Sequence, residues 1–285
     1  MESLVSTEWL AEEFGSCDLR IVDASSHLPI AGRDARAEYE AGHIPGAVFM
    51  DLTHLVDPTS PVPAALPTAE MFSSRMQKLG LGDGSRIVLY DDSDVKTSGR
   101  AWFMFKLFGA QNVAILDGGL AKWKAEGRPL ESGVQNLKTR HFTAWQEPGK
   151  VRSKADMMAN LKSHAEQVVD ARDAGRFSGE VPDFRPGVPS GHIPGSVNLP
   201  FFDLFNPDGT FKDKAGLRAA FEKAGVDLSQ PVATTCGGGV TAAVLCFALH
   251  LLGKDKDVSL YDGSWSEWAV DPATPKETGA ALQDV

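Results

Sequence analysis

Short apolar runs and longer amphipathic stretches alternate along this chain. IVDA (21–24), AVFM (47–50), RIVLYD (86–91) and VAILD (113–117) are rich in Val and Ile and bounded by polar or turn-forming residues. Such runs predict strands. Between them, 69–79 and 99–108 carry apolar residues at helical spacing. The second half repeats the order: VVDA (168–171), SVNL (196–199), PVATT (231–235) and VSLYD (258–262) predict strands, and 214–224 and 240–252 predict helices. Alternation of this kind implies an α/β fold of mainly parallel sheets with helices on both faces. Functional groups in such a fold collect in loops beyond the carboxyl ends of the strands.

The two halves also match residue by residue. IVDAS (21–25) answers VVDAR (168–172), and GHIPGAV (42–48) answers GHIPGSV (191–197). RIVLYD (86–91) answers PVATTC (231–236), and ILDGGLAKW (115–123) answers LYDGSWSEW (260–268). The blocks keep one order at a period of about 145–149 residues, too long for a solenoid. They predict two domains, 1–130 and 153–285, joined by a polar linker at 131–152 that Pro and Gly punctuate.

Composition narrows the class. A chain of 285 residues, 42% hydrophobic and 23% charged, can bury a core without metal or disulfide staples. Its net charge of −10, evenly spread, argues against a nucleic-acid partner. Cys17, Cys236 and Cys246 form neither a CxxC pair nor a metal-ligand spacing, so no metal and no cofactor are expected. An odd, sparse set of cysteines fits a reducing compartment. The start, MESLVSTEWLAEEFG, has no basic and apolar signal pattern, and the apolar run at 242–249 is far short of the ~20 residues that span a bilayer. A cytoplasmic protein with no membrane partner is the expectation.

Duplication separates scaffold from chemistry. His43 and His192 both lie in GHIPG, where Gly and Pro set a turn, and are expected to be structural. Trp123 with Trp268, and Asp117 with Asp262, are likewise paired and read as packing and turn residues. Cys236 has no such twin: Asp91 stands in its place, followed by the polar run DSDVKTSG. Arg176 and Arg185, in RFSGEVPDFR, also lack clear counterparts. The economical reading is a silent first domain and an active second one. The two arginines have Asp173 and Glu180 nearby as alternative ion-pair partners.

The thiol sits where a strand meets a helix. Gly237, Gly238 and Gly239 let the backbone approach a ligand closely, and Val240 and Thr241 open a helix whose apolar face runs through Val244, Leu245, Ala248 and Leu252. Loop N–H groups and the positive end of the helix dipole form an anion cradle. That cradle favours a thiolate, the reactive species, and would hold the terminal sulfur of a persulfide equally well. Cys246, amid Leu245 and Phe247, is expected to be a core thiol, and Cys17 an incidental one in a surface turn.

Such a loop has three other uses. A Walker loop needs GK[ST], and Gly239, Val240 and Thr241 lack the lysine. A cysteine phosphatase or arsenate reductase needs an arginine six positions after the cysteine to clamp phosphoryl oxygens, and Ala242 stands there. A non-catalytic sulfur-carrier module would use the loop only to store a persulfide.

The blocks GHIPG, VDAR, DGG/DGSW and CGGGVTA together resemble the tandem rhodanese-type sulfurtransferases over nearly the whole chain. AGRDARAEYEAGHIPGA (31–47), with Arg176 and Arg185, is most similar to the 3-mercaptopyruvate subfamily. The resemblance implies a small anionic sulfur donor bound through Arg176 and Arg185, and a thiol, cyanide or protein as sulfur acceptor. Thiosulfate is the alternative donor. The subfamily carries Ser or Thr at the position of Gly238, whereas thiosulfate enzymes carry Arg at Gly237 and Lys at Gly238 or Gly239; this chain has neither set. The subfamily's Asp and His, which form a relay with the loop serine, align with Thr53 and Ala64, and His54 is out of register.

Overall fold

A computed structural model describes residues 1–279, so the last six residues of the expected 153–285 domain lie outside the described residues. The described chain divides into two compact units. The first comprises Met1–Pro58, Leu66–Glu147 and Asn206–Phe211; the second takes Thr59–Ala65, Pro148–Phe205 and the chain from Lys212 onward. Two short segments therefore group with the unit opposite to the one their place in the repeat suggests.

In the first unit the order is β1 (Leu4–Val5), α1 (Thr7–Glu12), β2 (Leu19–Asp23), α2 (Ala35–Ala41) and β3 (Val48–Phe49), then α3 (Ala69–Lys78), β4 (Arg86–Tyr90), α4 (Ser98–Leu107), β5 (Val113–Leu116) and α5 (Gly119–Ala125). The strands form one sheet, β1-β5-β4-β2-β3, with every pair parallel. The second unit repeats this: β6 (Val151–Arg152), α6 (Lys154–Ser163), β7 (Gln167–Asp170), α7 (Ala174–Ser178) and β8 (Val197–Asn198), then α8 (Lys214–Lys223), β9 (Val232–Thr235), α9 (Val240–Leu251), β10 (Val258–Tyr261) and α10 (Ser264–Trp268). Its sheet order is β6-β10-β9-β7-β8, again all parallel. These are the two parallel α/β domains that the alternation implied, each with a fifth strand at its edge that was not expected.

All eight expected strands and all four expected helices form, most ends shifting by a residue or two. The edge strands β1 and β6 are two residues long, too short to leave a period in the sequence. Helix α9 differs from its expected one-sided character, because every residue from Thr241 to Leu249 is buried. A helix apolar on all sides belongs inside, and α4, its counterpart, is buried in the same way.

The paired residues behave as scaffold. Trp123 and Trp268 are fully buried and donate their indole N–H to Pro129 O at 2.8 Å and to Pro275 O at 2.7 Å. His43 stacks on Tyr39 and His192 on Phe177, each with Nδ1 at a backbone carbonyl and a backbone bridge to Glu131 or Glu277. The 131–150 segment has little regular structure, yet Phe142 within it is buried against Phe72 and Phe105. Among the described residues no helix is long and apolar enough to cross a membrane.

Candidate active site

Strand β9 is the middle strand of its sheet and ends at Thr235, so Cys236 begins the loop at the carboxyl edge. The thiol residue is buried, at 2% exposure, and forms no disulfide. Gly239 closes the loop with φ +77°, a left-handed conformation that costs an L side chain strain, and caps α9. Gly237 and Gly238 lie outside that region. Only one of the three glycines is required by backbone geometry.

The loop is clamped from outside by α10. Trp265 N–H donates to Cys236 O and Ser266 N–H to Gly237 O, both at 3.0 Å. In a trans peptide the following N–H points opposite to the carbonyl. Fixing those two carbonyls on α10 therefore turns the N–H groups of Gly237 and Gly238 to the other side. The first N–H groups of α9, from Val240 and Thr241, have no carbonyl one turn back within the helix and add to the same array.

Sequence reasoning missed Ser264. Its Oγ accepts the N–H of Cys236 at 3.2 Å and of Gly239 at 3.1 Å, and donates to Tyr261 O at 2.8 Å. It does so at φ +49°, a region few non-glycine residues adopt. The twin position is Gly119, at φ +57°, where a Cβ would lie 2.5 Å from Asp91 O. A serine in one copy where the other carries the second glycine of DGG was the signal available.

The first unit shows what such a loop holds. Asp91, the counterpart of Cys236, is 6% exposed and turns its carboxylate back into its own loop. Oδ1 accepts Ser93 N–H at 2.9 Å, and Oδ2 accepts the N–H of Ser98, the first residue of α4, at 2.8 Å. This cradle carries a built-in anion.

A cleft of about 560 Å³ reaches the second-unit loop at Gly238, with Ala64, Lys154, Arg185, Ser266 and Glu267 among its walls. Two positions aligned with the relay, Ala64 and Gly238, are thus in one place but carry no titratable side chain. Ala64 has φ +55°. Thr53 and His54 both contact Asp51 in the first unit, and His54 is 74% exposed. Among the described residues no three His, Cys, Asp or Glu side chains group as metal ligands.

Arg185 lines the cleft; Arg176, on α7, does not. Arg185 Nη1 donates to Gly237 O at 2.5 Å, and its Nε and Nη2 fork onto Asp183 at 2.8 and 2.7 Å. Arg176 Nε binds Asp173 at 2.5 Å, the alternative ion pair that their spacing offered. Both guanidinium carbons lie 5.3 Å from the Phe184 ring centre, which brings the two arginines to one aromatic side chain. Burial acts to raise the Asp183 carboxyl, but hydrogen bonds from Arg185 and the charges of both arginines hold it below the ordinary carboxylate range. Of the other cysteines, Cys246 is buried with Sγ 3.1 Å from Thr234 Oγ1, and Cys17 is exposed.

Two parallel α/β units, each with a strand–loop–helix cradle, define a tandem rhodanese-domain protein. The rhodanese-like domain family matches residues 6–126 and 153–271, and the chain belongs to that family. It is 43% identical to human 3-mercaptopyruvate sulfurtransferase over 93% of this chain and 91% of that protein. It is 41% identical to mouse thiosulfate sulfurtransferase, again covering 93% of this chain and 91% of that protein. The crystal structure of the 3-mercaptopyruvate sulfotransferase SseA from Escherichia coli superposes with a TM-score of 0.84 at 39% identity, covering 94% of this chain and all of that one.

Proposed function

We propose that this chain is a sulfurtransferase that takes sulfur from 3-mercaptopyruvate through a persulfide on Cys236. The observation that carries the reading is the pair of cradles: the loop filled by a carboxylate at Asp91 is matched by one that offers a cysteine. Identity above 40% to a mercaptopyruvate enzyme over nearly the whole chain supports the donor.

In the first step the Cys236 thiolate attacks the donor sulfur. The Sγ–S bond forms, the C3–S bond breaks, and its electron pair passes to the enolate of pyruvate. The donor thiol gives its proton to water in the cleft, and the enzyme is left as Cys–S–S⁻, its terminal sulfur facing the N–H groups of Gly237, Gly238, Val240 and Thr241. Arg185 holds the donor carboxylate from the cleft wall, and Arg176, outside the lining but on the same Phe184 ring, is its second cation once turned from the half-exposed Asp173. No acid stands at the relay positions Thr53, Ala64 and Gly238, so the enolate takes its proton from water in the cleft. In the second step a thiol, cyanide or a protein thiol attacks the terminal sulfur and restores the Cys236 thiolate. Domain 1–130, with Asp91 in the cradle, is silent; domain 153–285 works, and 131–152 joins them. We place the protein in the cytoplasm, where free Cys17, Cys236 and Cys246 persist as thiols.

Thiocyanate and pyruvate formation from 3-mercaptopyruvate and cyanide tests the reading. Ping-pong kinetics with that donor preferred over thiosulfate is the expected result. Undiminished product from Cys236→Ser, or no product from wild type, would overturn it.

A further inference from the structure

Each cation at the cleft arrives with a carboxylate of its own. Arg185 and Asp183 are two residues apart, and Asp183 Oδ1 also accepts the Arg185 backbone N–H at 3.0 Å, closing the fork within one tripeptide. The Asp183 side chain is 1% exposed against 25% for Arg185. A buried carboxylate cannot release its partner without standing unpaired, so Arg185 stays in place. Lys154 Nζ binds Asp271 Oδ2 at 2.5 Å, and Arg176, outside the cleft lining but on the same Phe184 ring as Arg185, is paired with Asp173. Glu267, on the cleft wall, accepts the Tyr261 hydroxyl at 2.8 Å and adds its charge to that of Asp271 at Lys154. Asp271 also feels the charge of Lys276, so Arg176, Arg185, Lys154 and Lys276 are matched by Asp173, Asp183, Asp271 and Glu267, and the cleft offers an oriented set of donors without surplus positive charge.

We propose that Asp183 is a positioning and specificity-determining residue: it fixes Arg185 against Gly237 and cancels its charge, fitting the cleft to a donor with one carboxylate and disfavouring a dianion. Thiosulfate carries two negative charges, whereas 3-mercaptopyruvate with its thiol protonated carries one. The inference rests on the proposed sulfur transfer, and adds a residue that never touches the donor.

The test compares kcat/KM for 3-mercaptopyruvate and thiosulfate in wild type, Asp183→Asn and Asp183→Glu, at low and high salt. Removing one buried negative charge raises the thiosulfate-to-mercaptopyruvate ratio by about tenfold at low salt, mainly through the thiosulfate KM, and the gain shrinks as salt rises. Asp183→Glu keeps the wild-type ratio. Asp271→Asn adds the same charge increment at the more exposed Lys154 pair and raises the ratio by less, which preserves the test should Asp183→Asn fold poorly. Equal losses for both donors, or no rise in the ratio in either Asn variant, would overturn the proposal. Wild type without turnover would instead sink the sulfurtransferase reading and this inference with it.

Discussion

Replacing the loop glycines singly by alanine separates backbone necessity from open space. Gly239 sits at φ +77°, where a Cβ costs roughly 1–2 kcal/mol. Gly238 lies outside the left-handed region, and a Cβ there would meet only Ser266 Oγ at 3.7 Å and Arg185 Nη1 at 3.9 Å, ordinary contact distances. Both substitutions restrict the unfolded chain equally, by about 0.4–1 kcal/mol in favour of the fold. That contribution cancels in the comparison. Gly239→Ala should therefore be less stable than Gly238→Ala by about 1–2 kcal/mol, a Tm difference of roughly 2–8 °C for chains of this size. Differential scanning calorimetry of the two variants at one scan rate measures it. Gly238→Ala should also keep sulfur transfer, since neither the N–H array nor the clamp from α10 depends on its side chain. Equal Tm values, or a lower Tm for Gly238→Ala, would refute this account of the loop.

Three further outcomes are expected. Ser264→Ala strips the acceptor from the N–H groups of Cys236 and Gly239; it should cost about 2–3 kcal/mol in urea unfolding and lower kcat/KM at least about tenfold. Asp91→Ala empties the first-unit cradle and should lose about 1–3 kcal/mol of stability, while thiocyanate production per folded molecule stays at the wild-type level. Hydrogen bonds from Lys122, Thr7 and Arg128 push the Glu126 carboxyl down from 4.5 to about 2. A depressed folded-state value means the stabilisation is complete above pH about 4.5 and fades as pH falls toward 2, so urea unfolding at pH 5 and pH 3 should show a smaller loss for Glu126→Gln than for wild type.

Much of this architecture was legible in the sequence, because the internal repeat supplied its own control. The comparison of Cys236 with Asp91 picked out the loop at the end of the central strand, and the paired His43 and His192 are built into turns as expected. Features defined by three-dimensional proximity were not legible. Segment Thr59–Ala65 groups with the second unit and brings Ala64 to the cleft, although it lies in the first repeat. The role of Ser264 depends on a left-handed backbone that no periodicity reports. Asp183 is one carboxylate among many until its burial beneath the Arg185 fork is known. The three glycines read alike as letters, yet only Gly239 answers to a dihedral angle.

The central claim is that Cys236 carries the transferred sulfur, and peptide mass spectrometry of the protein after brief exposure to 3-mercaptopyruvate without acceptor tests it most directly. The account predicts a gain of one sulfur atom on the peptide that carries Cys236 and Cys246, located on Cys236 by its fragment ions, with none on Cys246 or on the Cys17 peptide, and its removal by cyanide with one equivalent of thiocyanate released. A peptide of unchanged mass while pyruvate accumulates, or sulfur found on another cysteine, would contradict it.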